Sequence, residues 1–216
     1  MRPSAIHPGL VSAFQLLDKP AVETIPTGVP EVDAALGGFP RGALTEICGA
    51  ASSGRTSLLL ATLAQATHRL EVCALIDVTD AFDPASATAA GVDLNRLLWV
   101  RCGGNVIHAL TAADWLLHGG GFGVVALDLG DVTSDQIRRI SLSSWYRLRR
   151  AVENTPTTLI ALEPEPWAKS CSSLILQLTR ERIHWRGPLL AGALVRVERR
   201  KPVQTATIRF EVKSVA

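Results

Sequence analysis

The segment Gly49-Ala50-Ala51-Ser52-Ser53-Gly54-Arg55-Thr56 spaces two glycines and a threonine as the phosphate-binding pattern G-x-x-x-x-G-K-[ST] does, with arginine where that pattern has lysine. Glycines at those positions let the backbone curl until successive N–H groups and a helix N-terminus face an anion, and a threonine hydroxyl can hold magnesium. Gly49, Ser52, Ser53, Gly54, Arg55, Thr56 and Ser57 are therefore the candidate nucleotide-binding residues. Arg55 is the departure. A planar guanidinium is wider than a point-like ammonium and sits less readily in a tight ring of amides beside the β- and γ-phosphates. Asp128 closes the apolar run Val124–Leu127 and is the candidate, with Thr56, for holding a magnesium ion; the alternative is that it only caps the following turn.

These residues need a strand before the loop, a helix after it and a second strand to present Asp128. From about residue 42 the chain supplies that rhythm, apolar runs of strand length alternating with helix-period segments, the pattern of an α/β domain with a largely parallel sheet. Strands are expected at 44–48, 72–77, 97–100, 124–128 and 157–162. Helices are expected at 56–70, 84–90, 106–117 and 134–152, the last being the clearest amphipathic segment. After Pro164 and Pro166 the rhythm changes, and 174–185, 194–199 and 205–212 read as consecutive antiparallel strands at the C-terminal end. Residues 1–30 read as an arm with a short apolar helix around Leu10, Val11, Phe14 and Leu17, and 31–216 as one core domain. Trp99, Trp115 and Trp145 fall on apolar faces and are expected inside, and His108 and His118 are read as structural.

With 216 residues, 47% of them hydrophobic and 19% charged, the chain has enough apolar surface to fold, which excludes general disorder. Its uncharged runs are too short or too glycine-rich to span a bilayer, no secretory leader is legible, and a cytoplasmic location is expected. Cys48, Cys73, Cys102 and Cys171 show no C-x-x-C spacing, which argues against a zinc knot or a disulfide framework. Charge is uneven. The first 132 residues carry seven Lys/Arg against thirteen Asp/Glu and the remainder fifteen against seven, so the C-terminal part is a candidate surface for an anionic partner.

The stretch Ile25-Pro26-Thr27-Gly28 through Leu36-Gly37-Gly38, then Pro40-Arg41-Gly42, Glu46-Ile47, Ser52-Ser53-Gly54, Leu75-Ile76-Asp77, Asp83-Pro84 and Gly91-Val92-Asp93 resembles the ATPase core of bacterial RecA recombinases. The chain is much shorter than those proteins. In size and in its lost motifs it is similar to compact RecA-like accessory proteins of the ImuA type, associated with mutagenic tolerance of DNA damage. The resemblance implies a RecA-like phosphate-loop fold, with a largely parallel central sheet flanked by helices. It also exposes departures. Where the family places a water-polarising glutamate this chain has Thr79, a hydroxyl that cannot act as a base near neutral pH, and Asp80 beside it is the remaining catalytic candidate. The adenine-stacking aromatic falls at Ser86, and the γ-phosphate sensor falls near Glu163 and Pro164. The DNA-binding loops shrink to about 130–135 and 163–173. Trp167, Lys169, Arg196, Arg199, Arg200 and Lys201 remain as DNA or partner contacts, the last resembling basic subunit-interface elements, with a solvated strand face as the alternative.

The resemblance with its departures leads to a binding or scaffold module in DNA repair and translesion synthesis. Such a module would hold ATP or ADP and magnesium weakly or not at all, hydrolyse little, and partner a RecA filament, a translesion polymerase or single-stranded DNA. The alternatives are a working DNA-stimulated ATPase of the recombinase-mediator class, using Arg55, Asp80 and Asp128, and an ATP-independent single-stranded DNA-binding module.

Overall fold

Strands whose successive residues are buried on opposite sides require a layer of helices on each face of the sheet, and the chain builds that three-layer arrangement. The computed structural model describes residues 23–203 and 207–213. In chain order the elements are β1 (Thr24–Ile25), α1 (Pro30–Leu36), β2 (Phe39–Pro40), β3 (Ala43–Cys48), α2 (Arg55–His68), β4 (Cys73–Asp77), α3 (Pro84–Ala89), β5 (Leu97–Arg101), α4 (Val106–Gly119) and β6 (Val124–Asp128). They continue with α5 (Ser134–Arg138), α6 (Leu142–Val152), β7 (Thr158–Glu163), β8 (Leu174–Arg186), β9 (Leu189–Lys201) and β10 (Thr207–Lys213). Cys73 and Leu75 of β4, Val124 and Ala126 of β6, and Ile160 and Leu162 of β7 enter a core that also contains Leu58, Leu59 and Leu63 of α2. Their alternate neighbours, among them Ile76, Leu127 and Leu159, enter a second core with Ala113 and Leu117 of α4 and Trp145 and Leu148 of α6.

The eight-stranded sheet runs β10-β9-β8-β3-β7-β6-β4-β5. The six strands from β8 to β5 are parallel, whereas β8–β9 and β9–β10 are antiparallel, as the change of rhythm after Pro166 predicts. Register sets the site: Asp77 lies opposite Asp128, and Cys48 opposite Glu163. The carboxyl ends of β3, β4, β6 and β7 therefore form one edge, where ligands of open α/β sheets bind.

Three expectations require correction. The single helix over 134–152 is two helices, because Ser141 caps a new start: its side chain accepts from Ser144 N, and a serine at that position competes with continued helix. Trp115 is 74% exposed. The buried positions of α4 are Val106, Ala109, Leu110, Ala113 and Leu117, and residue 115 falls on the opposite face of that stripe. Trp99 is only partly buried, at the edge of the first core, while Trp145 is 1% exposed as expected. The proposed helix around residues 10–17 lies outside the described residues. No helix among the described residues is long and apolar enough to cross a membrane.

Candidate nucleotide site

The loop between β3 and α2 is shaped by close approach. A Cβ at Gly49 would lie 2.6 Å from the Leu178 carbonyl oxygen, and one at Gly54 would lie 2.8 Å from a methyl of Val195. Gly54 also has φ +95°, a left-handed conformation that side chains resist, and Ser52 adopts φ +60° despite having one. Gly54 stands at the start of α2 and supplies no side-chain cap, so the helix N-terminus faces the hollow bare. Ser53 is 3% exposed with a hydroxyl that has no hydrogen-bond partner, and Arg55 is 7% exposed with Nη1 unpartnered. Buried polar atoms without partners point to a ligand that would supply them.

Arg55 does not curl back over the loop. Its Nη2 reaches the Gly130 carbonyl at 3.2 Å, on the turn that follows β6. The same turn is braced by Asp128, whose Oδ1 accepts from Gly130 N at 2.8 Å, so the alternative role of turn cap is a real one. Thr56 and Asp128 nevertheless line one cleft, and the second carboxylate oxygen is not used by that bond. One hydroxyl and one carboxylate, both hard oxygen donors, fit magnesium, which keeps several waters and takes few protein ligands. Burial pushes the Asp128 carboxyl up to about 6, against the lowering effect of the Gly130 N–H, with Asp77 adding to the rise and Arg55 opposing it.

The catalytic candidate Asp80 and the buried acidic groups around the loop are held by partners of their own. Asp80, at φ +60°, forms a two-point contact with Arg101 (Nη2–Oδ2 2.9 Å, Nε–Oδ1 3.2 Å) and does not line the cleft. Asp77 is fully buried and accepts from Ala81 N, Phe82 N and Trp99 Nε1, which holds the segment after β4 in place. Ser86 lines the cleft but is gathered into the N-cap of α3 by Asp83. At the end of β7, Glu163 is buried beside Glu46. Burial, reinforced by the neighbouring Glu46 carboxyl, pushes Glu163 well above the ordinary glutamate range. Glu46 meanwhile accepts from Trp167 N, Ala168 N and the Ser172 hydroxyl, and these bonds tie the loop 163–173 to β3.

Of the expected DNA or partner contacts, Trp167 is partly buried against the second core, with the Arg138 guanidinium over its ring at 5.8 Å. Lys201 donates to the carbonyls of Lys169 and Ser170, which brings both lysines to one loop. Arg200 pairs with Glu198 at 2.8 Å and Arg196 lies 3.6 Å from Glu181 and Glu198. Arg199 is half-buried with its Nε unpartnered. Sequence reasoning passed over Arg101, Glu46 and Trp185. The signal for Trp185 is an aromatic at a strand end just before Gly187-Pro188, a turn that leaves its neighbours in solvent.

A phosphate loop at the carboxyl edge of a mainly parallel sheet, with an aspartate ending the strand two places away, defines a phosphate-loop α/β domain. Residues 9–134 match the family model for the RecA N-terminal domain. The chain belongs to that family. It is 43% identical over 124 residues to Protein RecA of Bifidobacterium breve, covering 56% of this chain and 31% of that protein. It is 33% identical over 168 residues to Protein RecA of Aquifex aeolicus, covering 70% of this chain and 48% of that protein. The chain thus spans between about a third and a half of the length of these relatives.

Proposed function

We propose that this protein is a RecA-like accessory module of DNA repair, of the ImuA type, that holds a nucleotide at residues 49–57 without turning it over and serves as a scaffold in DNA-damage tolerance. The observation that carries this reading is that the arginine of the loop, the remaining catalytic candidate and the residue near the γ-phosphate-sensor position are each engaged away from the hollow. Arg55 is on the Gly130 carbonyl, Asp80 is on Arg101, and Glu163 is buried against Glu46. Binding needs the loop amides and the helix start; hydrolysis further needs a positioned base and electrostatic stabilisation of the transition state. ATP or ADP with magnesium is the expected ligand, Thr56 and Asp128 its metal contacts. The basic C-terminal strands and the loop 163–173 are the proposed contacts to a RecA filament or translesion polymerase.

Equilibrium titration with a fluorescent ATP analogue tests the binding half of the proposal: weak, saturable binding is expected, and no binding at millimolar ligand contradicts it. For the partner half, affinity purification from DNA-damaged cells is expected to recover a RecA filament or a translesion polymerase, and recovery of neither contradicts it. The reading as an ATP-independent DNA-binding module gains no support from the basic strands, since Arg196 and Arg200 already have acidic neighbours and Lys201 is bonded to backbone.

A further inference from the structure

Two hollows open on the phosphate loop, and they differ in size and lining. The one toward α3 encloses about 240 Å³ and includes Thr56, Ser86 and Asp128. Its aromatic residue, Phe82, is edge-packed on Trp99 at 5.2 Å and drawn against the first core. The other, toward the β8–β9 hairpin, encloses about 580 Å³ and runs from the loop residues Ser52–Ser57 to Arg180, Ile183, Trp185 and Leu190. Sites that bury a drug-sized ligand have about 300–1,000 Å³. The hairpin hollow is within that range and the α3 cleft is below it. Ser53, whose hydroxyl is unpartnered, lines the larger space and not the smaller, while Arg55, with Nη1 unpartnered, lines both.

Trp185 is 63% exposed, and Leu190 beside it is 49% exposed, although both border this hollow. An indole face flanked by aliphatic side chains matches the flat, apolar face of a nucleobase, and such stacking tolerates any base because every base has a π-face. We infer that the hairpin, through Trp185 with Ile183 and Leu190 around it, supplies the base platform for a nucleoside triphosphate whose phosphates rest on the loop, replacing the platform lost at Ser86. The inference rests on the proposed nucleotide role of residues 49–57. Arg180 lies on the same wall and contributes positive charge toward the ribose-phosphate part of the ligand.

Calorimetric titration with two probes, ATP and inorganic tripolyphosphate, separates the platform from the cradle. Trp185→Ala is expected to weaken ATP roughly tenfold, the size of one lost base–aromatic stack, and to leave tripolyphosphate unchanged. Trp185→Phe, which keeps a ring, is expected to restore most of the loss, and GTP is expected to bind the wild-type protein about as well as ATP. Unchanged ATP affinity in Trp185→Ala, or equal losses in the Ala and Phe variants, overturns the platform while tripolyphosphate binding keeps the cradle. If the wild-type protein binds neither probe, the cradle fails and the platform with it.

Discussion

Arg55 has one amino nitrogen on the Gly130 carbonyl and another buried without a partner, so its charge is held beside the loop rather than inside it. Arg55→Lys exchanges this reach for a compact ammonium. The variant is expected to bind magnesium-ATP about ten- to a hundredfold more tightly, in keeping with one added charge-assisted hydrogen bond of about 1.5–3 kcal/mol, measured by calorimetry. It is expected to remain unable to turn over, since no carboxylate replaces the side chain at Thr79; unchanged affinity would show that the arginine already serves the phosphates. Glu163 carries a second residue-scale consequence. Its Oε1 is buried without a donor, and a proton on that carboxyl turns an orphaned acceptor into a donor. Above the ordinary glutamate range the unfolded chain loses this proton while the folded chain keeps it, so its contribution to stability falls as pH rises toward the folded value. Glu163→Gln removes that dependence. Urea midpoints at pH 5 and pH 8 are expected to shift in favour of the variant at the higher pH, and a difference that does not change with pH would contradict the assignment.

Among the elements, period decided what was legible. Strict two-sided burial in β4, β6 and β7 made those strands readable to within a residue or so, and the loop between β3 and α2 was readable from its own spacing. The break between α5 and α6 was hidden because Ile137, Trp145, Leu148 and Val152 still enter one core, so the apolar face continues across a backbone interruption made by Ser141. Trp115 and Trp145 looked alike in the sequence, yet α4 and α6 turn them to opposite environments. Trp145→Ala is expected to cost about 3–5 kcal/mol in a denaturation curve, as large buried aromatics do. Trp115→Ala is expected to stay within about 0.5 kcal/mol, as exposed positions do. Comparable losses from both would mean that α4 packs with another face than the one described. The partnerships of Asp80 with Arg101 and of Glu163 with Glu46 were not legible, because each joins residues brought together only by strand pairing: β4 beside β5, and β3 beside β7.

Across the whole molecule, the acidic N-terminal part carries the phosphate loop and the basic C-terminal strands form the other side of the sheet, joined where β8 meets β3. That junction lays the long β8–β9 hairpin against the loop, with Val195 filling the space a Cβ on Gly54 would need. The family's fold is kept, and on the proposed reading its hydrolytic positions are altered: Asp80 is held by Arg101 and Glu163 is buried beside Glu46, while Arg55 Nη1 and Glu163 Oε1 stay unpartnered. The most direct test of this account is steady-state ATP hydrolysis by the full chain, with and without single-stranded DNA, beside an Asp128→Asn control. Rates indistinguishable from the control, and far below the roughly 1–10³ s⁻¹ of working enzymes, are expected in both conditions. Sustained turnover that rises with DNA and disappears in Asp128→Asn would contradict the account.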